Sequence, residues 1–187
     1  MIQRGSCVLY ELYAARWNGG HPRAGSGAIW DLDRNDLRPK GWTSADAAGL
    51  PIFPGLVRWD EVAAGRIRHA IRFTLSCTTD AYIWPARHQA GVDDPDCPPM
   101  GARFRLSSDF DLTGFSARAK TILVAMQRYG LILADNGSDW YFQGTVDDHW
   151  RNPLLDELKS VPASAFEAVD ESACVVDQDS AEADGPA

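Results

Sequence analysis

The chain is predicted to fold as a β-rich α+β domain, a mainly antiparallel jelly-roll-like sandwich or open barrel with one packed amphipathic helix. Three observations point there. Turn residues are dense, with 16 Gly and 11 Pro concentrated in Asn18 to Gly27, Pro39 to Gly55 and Gly91 to Gly101. Between them lie short runs rich in aromatic and β-branched residues, at the spacing of an antiparallel sheet. Only one long stretch carries a helical apolar stripe.

Taken in order, the expected strands are Cys7 to Ala15, Ala28 to Leu32, Arg66 to Ser76, Ala81 to Trp84, Ala102 to Leu106, Leu131 to Ala134 and Trp140 to Gln143. Arg66 to Ser76 has the clearest alternation. Ile67, Ile71, Phe73 and Leu75 share one parity with His69, and Arg68, Arg72 and Thr74 share the other. In the helix, Ser116 is the N-cap, Ala119, Ile122, Leu123, Met126 and Tyr129 form the stripe, and Gly130 follows the last turn. The apolar run Leu131 to Ala134 then reads as a buried strand. The turn Asp135 to Ser138 makes Trp140 to Gln143 its hairpin partner. A second helix is expected over Pro153 to Lys159, with single turns at Ala45 to Ala48 and Asp60 to Ala64.

With 187 residues the chain suits one domain, placed at 1–170, followed by an acidic disordered tail at 171–187. Seven acids fall from Glu167 onward and no Lys or Arg follows Lys159, so removing those seven from the net charge of -8 leaves -1 for residues 1–166. A near-neutral body with scattered arginines offers no basic stripe, which argues against nucleic acid. No apolar run is long enough to cross a membrane. The first residues show no signal peptide, and a core strand beginning almost at Met1 raises the expectation of missing N-terminal strands. Of the four cysteines, none has zinc-site spacing. They read either as free buried thiols or as a Cys77–Cys97 bridge, which would brace a loop and imply an oxidising compartment.

Candidate chemistry centres on the loop Arg38 to Gly55, long and punctuated by Pro and Gly. Asp46, Asp135 and Glu61 are the candidate catalytic carboxylates, since glycoside hydrolysis needs two carboxyl groups, one of them kept protonated. Each also has a local reading as a turn or cap residue. Seven tryptophans are many for this length. Trp30, Trp42 and Trp84 are candidate sugar-stacking surfaces, with Arg87 and His88 beside them as substrate-binding groups. His69 and His88 lack a third ligand, and Asp31 to Trp42 lacks the Gly and Glu of a calcium loop, so no metal or cofactor is expected.

The segments GSGAIWDL, GWTSADAAGLPIFPGLVRWDEV, YIWPARH, PPMGARFRL and ADNGSDWY resemble a family of uncharacterised, often exported bacterial proteins of unknown activity. The resemblance spans roughly Tyr10 to Phe166. It implies an extracellular setting and a longer N-terminal part. From the residues themselves, the expected function is carbohydrate engagement. Its enzymatic version is a polysaccharide hydrolase with paired carboxylates, and its alternative a non-catalytic glycan-binding or structural module.

Overall fold

A computed structural model describes residues 1–184 of the chain. Its strands are β1 (Ile2–Gln3), β2 (Val8–Tyr13), β3 (Arg16–Asn18), β4 (His21–Arg23), β5 (Ser26–Asp31), β6 (Ile71–Leu75), β7 (Arg103–Leu106), β8 (Leu131–Asn136), β9 (Tyr141–Phe142) and β10 (Phe166–Val169). The helices are α1 (Trp59–Ala63), α2 (Ala117–Arg128) and α3 (Asn152–Lys159). The β-rich α+β class is therefore the one expected. The main sheet, in the order β10–β7–β8–β6–β9, curls into a half-barrel. Every pair in the three sheets is antiparallel except β6 and β8, which run parallel. No helix among the described residues is long and apolar enough to cross a membrane.

Helix α2 forms where the sequence places it. The Ser116 side chain accepts a hydrogen bond from the Ala119 amide, and Gly130 takes the positive φ (+75°) that ends the last turn. Its stripe of Ala119, Ile122, Leu123, Ala125 and Met126 is buried in the main core with Ile71, Phe73, Leu131 and Leu133 of the sheet. Phe73 also stacks on Trp140 and meets Phe104 edge-on, and Trp140 stacks in turn on Phe166. Trp140 therefore belongs to an aromatic core cluster and not to a cleft.

All five β6 residues are buried, because both faces of the strand are covered. One face carries Ile71, Phe73 and Leu75 into the core. The other carries Arg72 and Thr74 against the Arg38–Gly55 loop and the β8–β9 turn. The expected strand start at Arg66 is displaced to Ile71. Arg66 closes the end of α1 through the Glu61 carbonyl, and His69 turns aside to Glu61.

Two further expectations change. The run Ala81 to Trp84 makes only a single parallel bridge, Tyr82 to Met100, before a turn closed by the Ala86 amide on the Ile83 carbonyl. Pro85 has no N–H with which to extend a ladder. Strand β9 does not pair with β8. Both edges of β8 are taken by β7 and β6, so the returning chain pairs with the open edge of β6, Phe142 opposite Phe73.

The smaller sheet β1–β2–β5 buries Leu9, Ala28 and Trp30 as a cluster of its own, with Phe53 packed on it. Glu11 joins this sheet to the rest. Its carboxylate accepts the amides of Ile52 (2.9 Å) and Phe53 (2.8 Å).

Cys77 and Cys97 form the disulfide, and Cys7 is an exposed free thiol just ahead of β2. The free-thiol reading of Cys77 and Cys97 is thereby corrected. The bridge closes 20 residues that hold little regular structure, so it removes loop-closure freedom from the unfolded chain. Replacing both cysteines by Ser is expected to cost about 3 kcal/mol. For a domain of this size that lowers the melting temperature by about 6–12 °C, read by calorimetry. A change below about 2 °C would mean the loop is ordered without the bridge.

Candidate functional site

The Arg38–Gly55 loop folds inward along its second half and outward at Trp42. Ser44, Ala45, Asp46, Ala48, Gly49 and Leu50 are all buried. The Ser44 hydroxyl donates to the Leu50 carbonyl (2.6 Å) and accepts the Asp46 amide (3.1 Å). The Asp46 carboxylate accepts the Leu50 amide (3.0 Å), and the Thr43 hydroxyl donates to the Asp46 carbonyl (2.8 Å). Gly49 has φ +74°, and a Cβ there would lie 2.5 Å from the Trp42 carbonyl oxygen, so only glycine fits. The loop is stitched to its surroundings on two sides. The Ala48 amide reaches the Ala134 carbonyl of β8. The Ala48 carbonyl accepts the amides of Arg87 and His88, while His88 Nδ1 lies 2.9 Å from the Ala47 carbonyl. His88 thus ties this loop in place through Nδ1.

The three candidate carboxylates meet different fates. Asp46 and Asp135 are brought together by Arg72, a residue the alternation had assigned to the polar face of its strand. Arg72 Nη2 lies 3.5 Å from Asp46 Oδ2 and 3.7 Å from Asp135 Oδ2. Sharing one nitrogen holds the two oxygens no more than about 7 Å apart. Access to the two carboxylates is unequal. The Asp46 side chain is 0% exposed and that of Arg72 6%, whereas Asp135 is 35% exposed. Burial pushes the Asp46 carboxyl up to about 7, outweighing Arg72 and the Leu50 amide that pull it down. Burial also raises Asp135, against the Asn136 amide and Arg72. Asp46 Oδ2, Arg72 Nε and Arg72 Nη2 are buried without a hydrogen-bond partner. Glu61 stands elsewhere, held between Arg58 and His69 Nε2 (3.1 Å), and does not join the other two.

The aromatic candidates gather on a different face. The Arg38 guanidinium carbon lies 5.8 Å from the Trp30 ring centroid and 5.4 Å from that of Trp42. Trp30 is buried behind it, and Trp42 is 58% exposed in front of it. Next to them a recess of about 400 Å³ is lined by Leu37, Arg38, Pro39, Lys40, Arg87 and Asp179.

Asp179 belongs to the segment expected to be a disordered acidic tail, which up to Asp184 makes contacts of its own with the body. Glu171 pairs with Arg103, Val175 bridges Ala183, and the turn between them lies on the body. The Leu37 amide donates to the Asp179 carbonyl, the Ala181 amide to the Asn35 carbonyl, and Trp84 Nε1 to the Ser180 carbonyl (2.8 Å). The acids of this segment find backbone and arginine partners, which composition alone does not reveal. Residues 185–187 of the expected tail lie outside the described residues. Arg87 is thus brought to the recess, and both Arg87 and Trp84 are engaged by the chain's own C-terminal segment.

Sequence reasoning missed Arg72, Arg38 and Asp179. A charged residue within the most apolar strand was the available signal for Arg72. For Asp179 there was none, since its contact spans 92 positions.

Comparison with protein-family models, with curated proteins and with solved structures found no match.

Proposed function

We propose that the protein binds carbohydrate without hydrolysing it, through the face formed by Trp42, Arg38 and the Lys40–Arg87 recess. The observation that carries this reading is the exposed Trp42 indole, fixed on a loop whose other half is anchored in the core. An indole held rigid before binding loses little freedom when a sugar ring stacks on it. Arg38 behind it orients the ring, and Lys40 and Arg87 supply polar recognition at its side. The buried Asp46–Arg72–Asp135 cluster then serves as the loop's anchor. The Cys77–Cys97 disulfide supports an oxidising, extracellular setting for such a role.

A glycan array with the wild type and Trp42→Ala tests the reading. Trp42→Ala is expected to weaken binding to any hit by about tenfold or more, the ~1.4 kcal/mol of one well-stacked indole. Binding that survives the substitution unchanged would remove Trp42 from the site, and no binding to any glycan would end the reading. The hydrolase version draws on one specific observation, the raised carboxyls of Asp46 and Asp135 beside Arg72. Sugar release from a bound glycan, abolished by Asp135→Asn, would favour it. No release is expected, because Asp46 is closed off from solvent.

A further inference from the structure

Arg87 is a buried cation with a solvent-exposed counter-ion. The residue is 4% exposed, and its guanidinium makes three hydrogen bonds. Nε donates to the Arg38 carbonyl (2.6 Å), Nη1 to the Gln178 carbonyl (2.7 Å) and Nη2 to Asp179 Oδ1 (2.5 Å). The body of the domain supplies one of those acceptors, and the C-terminal segment supplies the other two. The recess is walled by Arg38, Lys40 and Arg87, and Asp179 contributes its one carboxylate.

The geometry of the two partners is unequal. Arg87 is rigid, with its main-chain amide on the Ala48 carbonyl and its carbonyl accepting the Gly41 amide. The Asp179 side chain is 73% exposed and sits at the tip of a finger. The finger pairs with itself at its base, through the Val175–Ala183 bridge and the Asp184 amide on the Cys174 carbonyl. Its tip touches the body through Gln178, Asp179, Ser180 and Ala181. The carboxylate side of the pair is open to water while the guanidinium is buried and requires an anion, and the tip's backbone is tied to the body by the Asp36–Ser180 bridge.

We infer that the Arg38–Lys40–Arg87 recess is a carboxylate-binding subsite, occupied in the resting chain by Asp179, whose external ligand is a uronic-acid-bearing glycan. This rests on the carbohydrate reading above and narrows its ligand. A sugar carboxylate would replace Asp179 on Arg87 Nη2, the guanidinium nitrogen that no backbone carbonyl holds. The Trp84 indole N–H, freed from the Ser180 carbonyl, would donate to a neighbouring sugar oxygen. Lys40 lies on the same wall, two residues from Trp42, so the charged subsite and the stacking surface are continuous.

Binding of tetragalacturonate and of neutral cellotetraose to the full chain, wild type and Asp179→Ala, tests the inference by calorimetric titration. Removing the competing carboxylate is expected to tighten tetragalacturonate binding by about tenfold or more, since no internal carboxylate then competes for Arg87 Nη2. Cellotetraose binding should not tighten. Lys40→Ala in the Asp179→Ala background should reverse much of the gain. Unchanged tetragalacturonate affinity in Asp179→Ala, or an equal gain for cellotetraose, overturns the subsite. A tetragalacturonate gain that is indifferent to Trp42→Ala supports the subsite while overturning the stacking reading. Trp42-dependent cellotetraose binding with no uronate gain does the reverse.

Discussion

At pH 9, where the Asp46 carboxyl is ionised, Arg72→Ala is expected to lower the stability of the protein by about 3–5 kcal/mol, the usual cost of removing one partner from a buried ion cluster. Arg72 is the only cation placed against both Asp46 and Asp135 among the described ion pairs. Its loss would leave Asp46, closed off from water, without a compensating charge. The Arg38–Gly55 loop would lose its electrostatic tie to β6 at the same stroke. The loss should not be recovered by Arg72→Met alone, because it arises from the stranded carboxylate and not from packing volume. The double variant Asp46→Asn/Arg72→Met removes both charges and is expected to regain most of it. Urea denaturation of the wild type, both single variants and the double variant at pH 9 closes the cycle, and at pH 7, where Asp46 takes up a proton, the loss is smaller. A single-variant loss below about 1 kcal/mol, or a double variant no better than the sum of its parts, would show that the cluster is not coupled.

The second large effect is a pH dependence of unusual sign. The Asp46 carboxyl sits near 7 in the folded protein against an ordinary value of 3.8. The folded state therefore holds its proton where the unfolded state has lost it. Between those values the folded chain binds more protons, so this group's contribution is fully present below about pH 4 and lost as pH rises through 7. Paired surface carboxylates do the opposite. Asp139 and Asp147, held low mainly by the amides of Ser76 and His149, favour the fold at higher pH. Total stability mixes the two trends, and the difference between wild type and Asp46→Asn isolates one. Asparagine keeps an acceptor for the Leu50 amide and does not titrate. Relative to that variant, the wild type is expected to lose stability from pH 4 to pH 7.5, by at most about 4 kcal/mol at ~1.4 kcal/mol per pKa unit. Denaturation curves at four pH values measure it. A flat difference would place the Asp46 carboxyl at its ordinary value and remove burial as the dominant influence.

Much of the fold was legible because it depends on local chemistry. The Ser116 cap, the α2 stripe, Gly130 and the apolar run of β8 are each readable within a few residues, and all appear where expected. The pairing of β9 was not legible. A tight turn after β8 looks like a hairpin, but whether β8 has a free edge depends on β6 and β7, which lie far away in sequence. Arg72 was misread for a related reason. Alternation marks the polar face of a strand but does not say whether a loop later covers it. The candidate site divides in the same way. Trp30, Trp42, Arg87 and Asp46 were found by residue type and by the punctuated loop, yet their roles were not. Asp46 went inward as an anchor, His88 became a tie to Ala47, and Trp84 and Arg87 were met by the C-terminal segment.

By itself the sequence determined the β-rich class, the principal helix and the loop that carries the exposed indole, because propensity, capping and turn chemistry act between near neighbours. Only the tertiary structure decided which carboxylates are shut away, which arginine binds them and where the acidic C-terminal segment rests. Those outcomes depend on burial and charge compensation between residues tens of positions apart, and no local pattern encodes that distance.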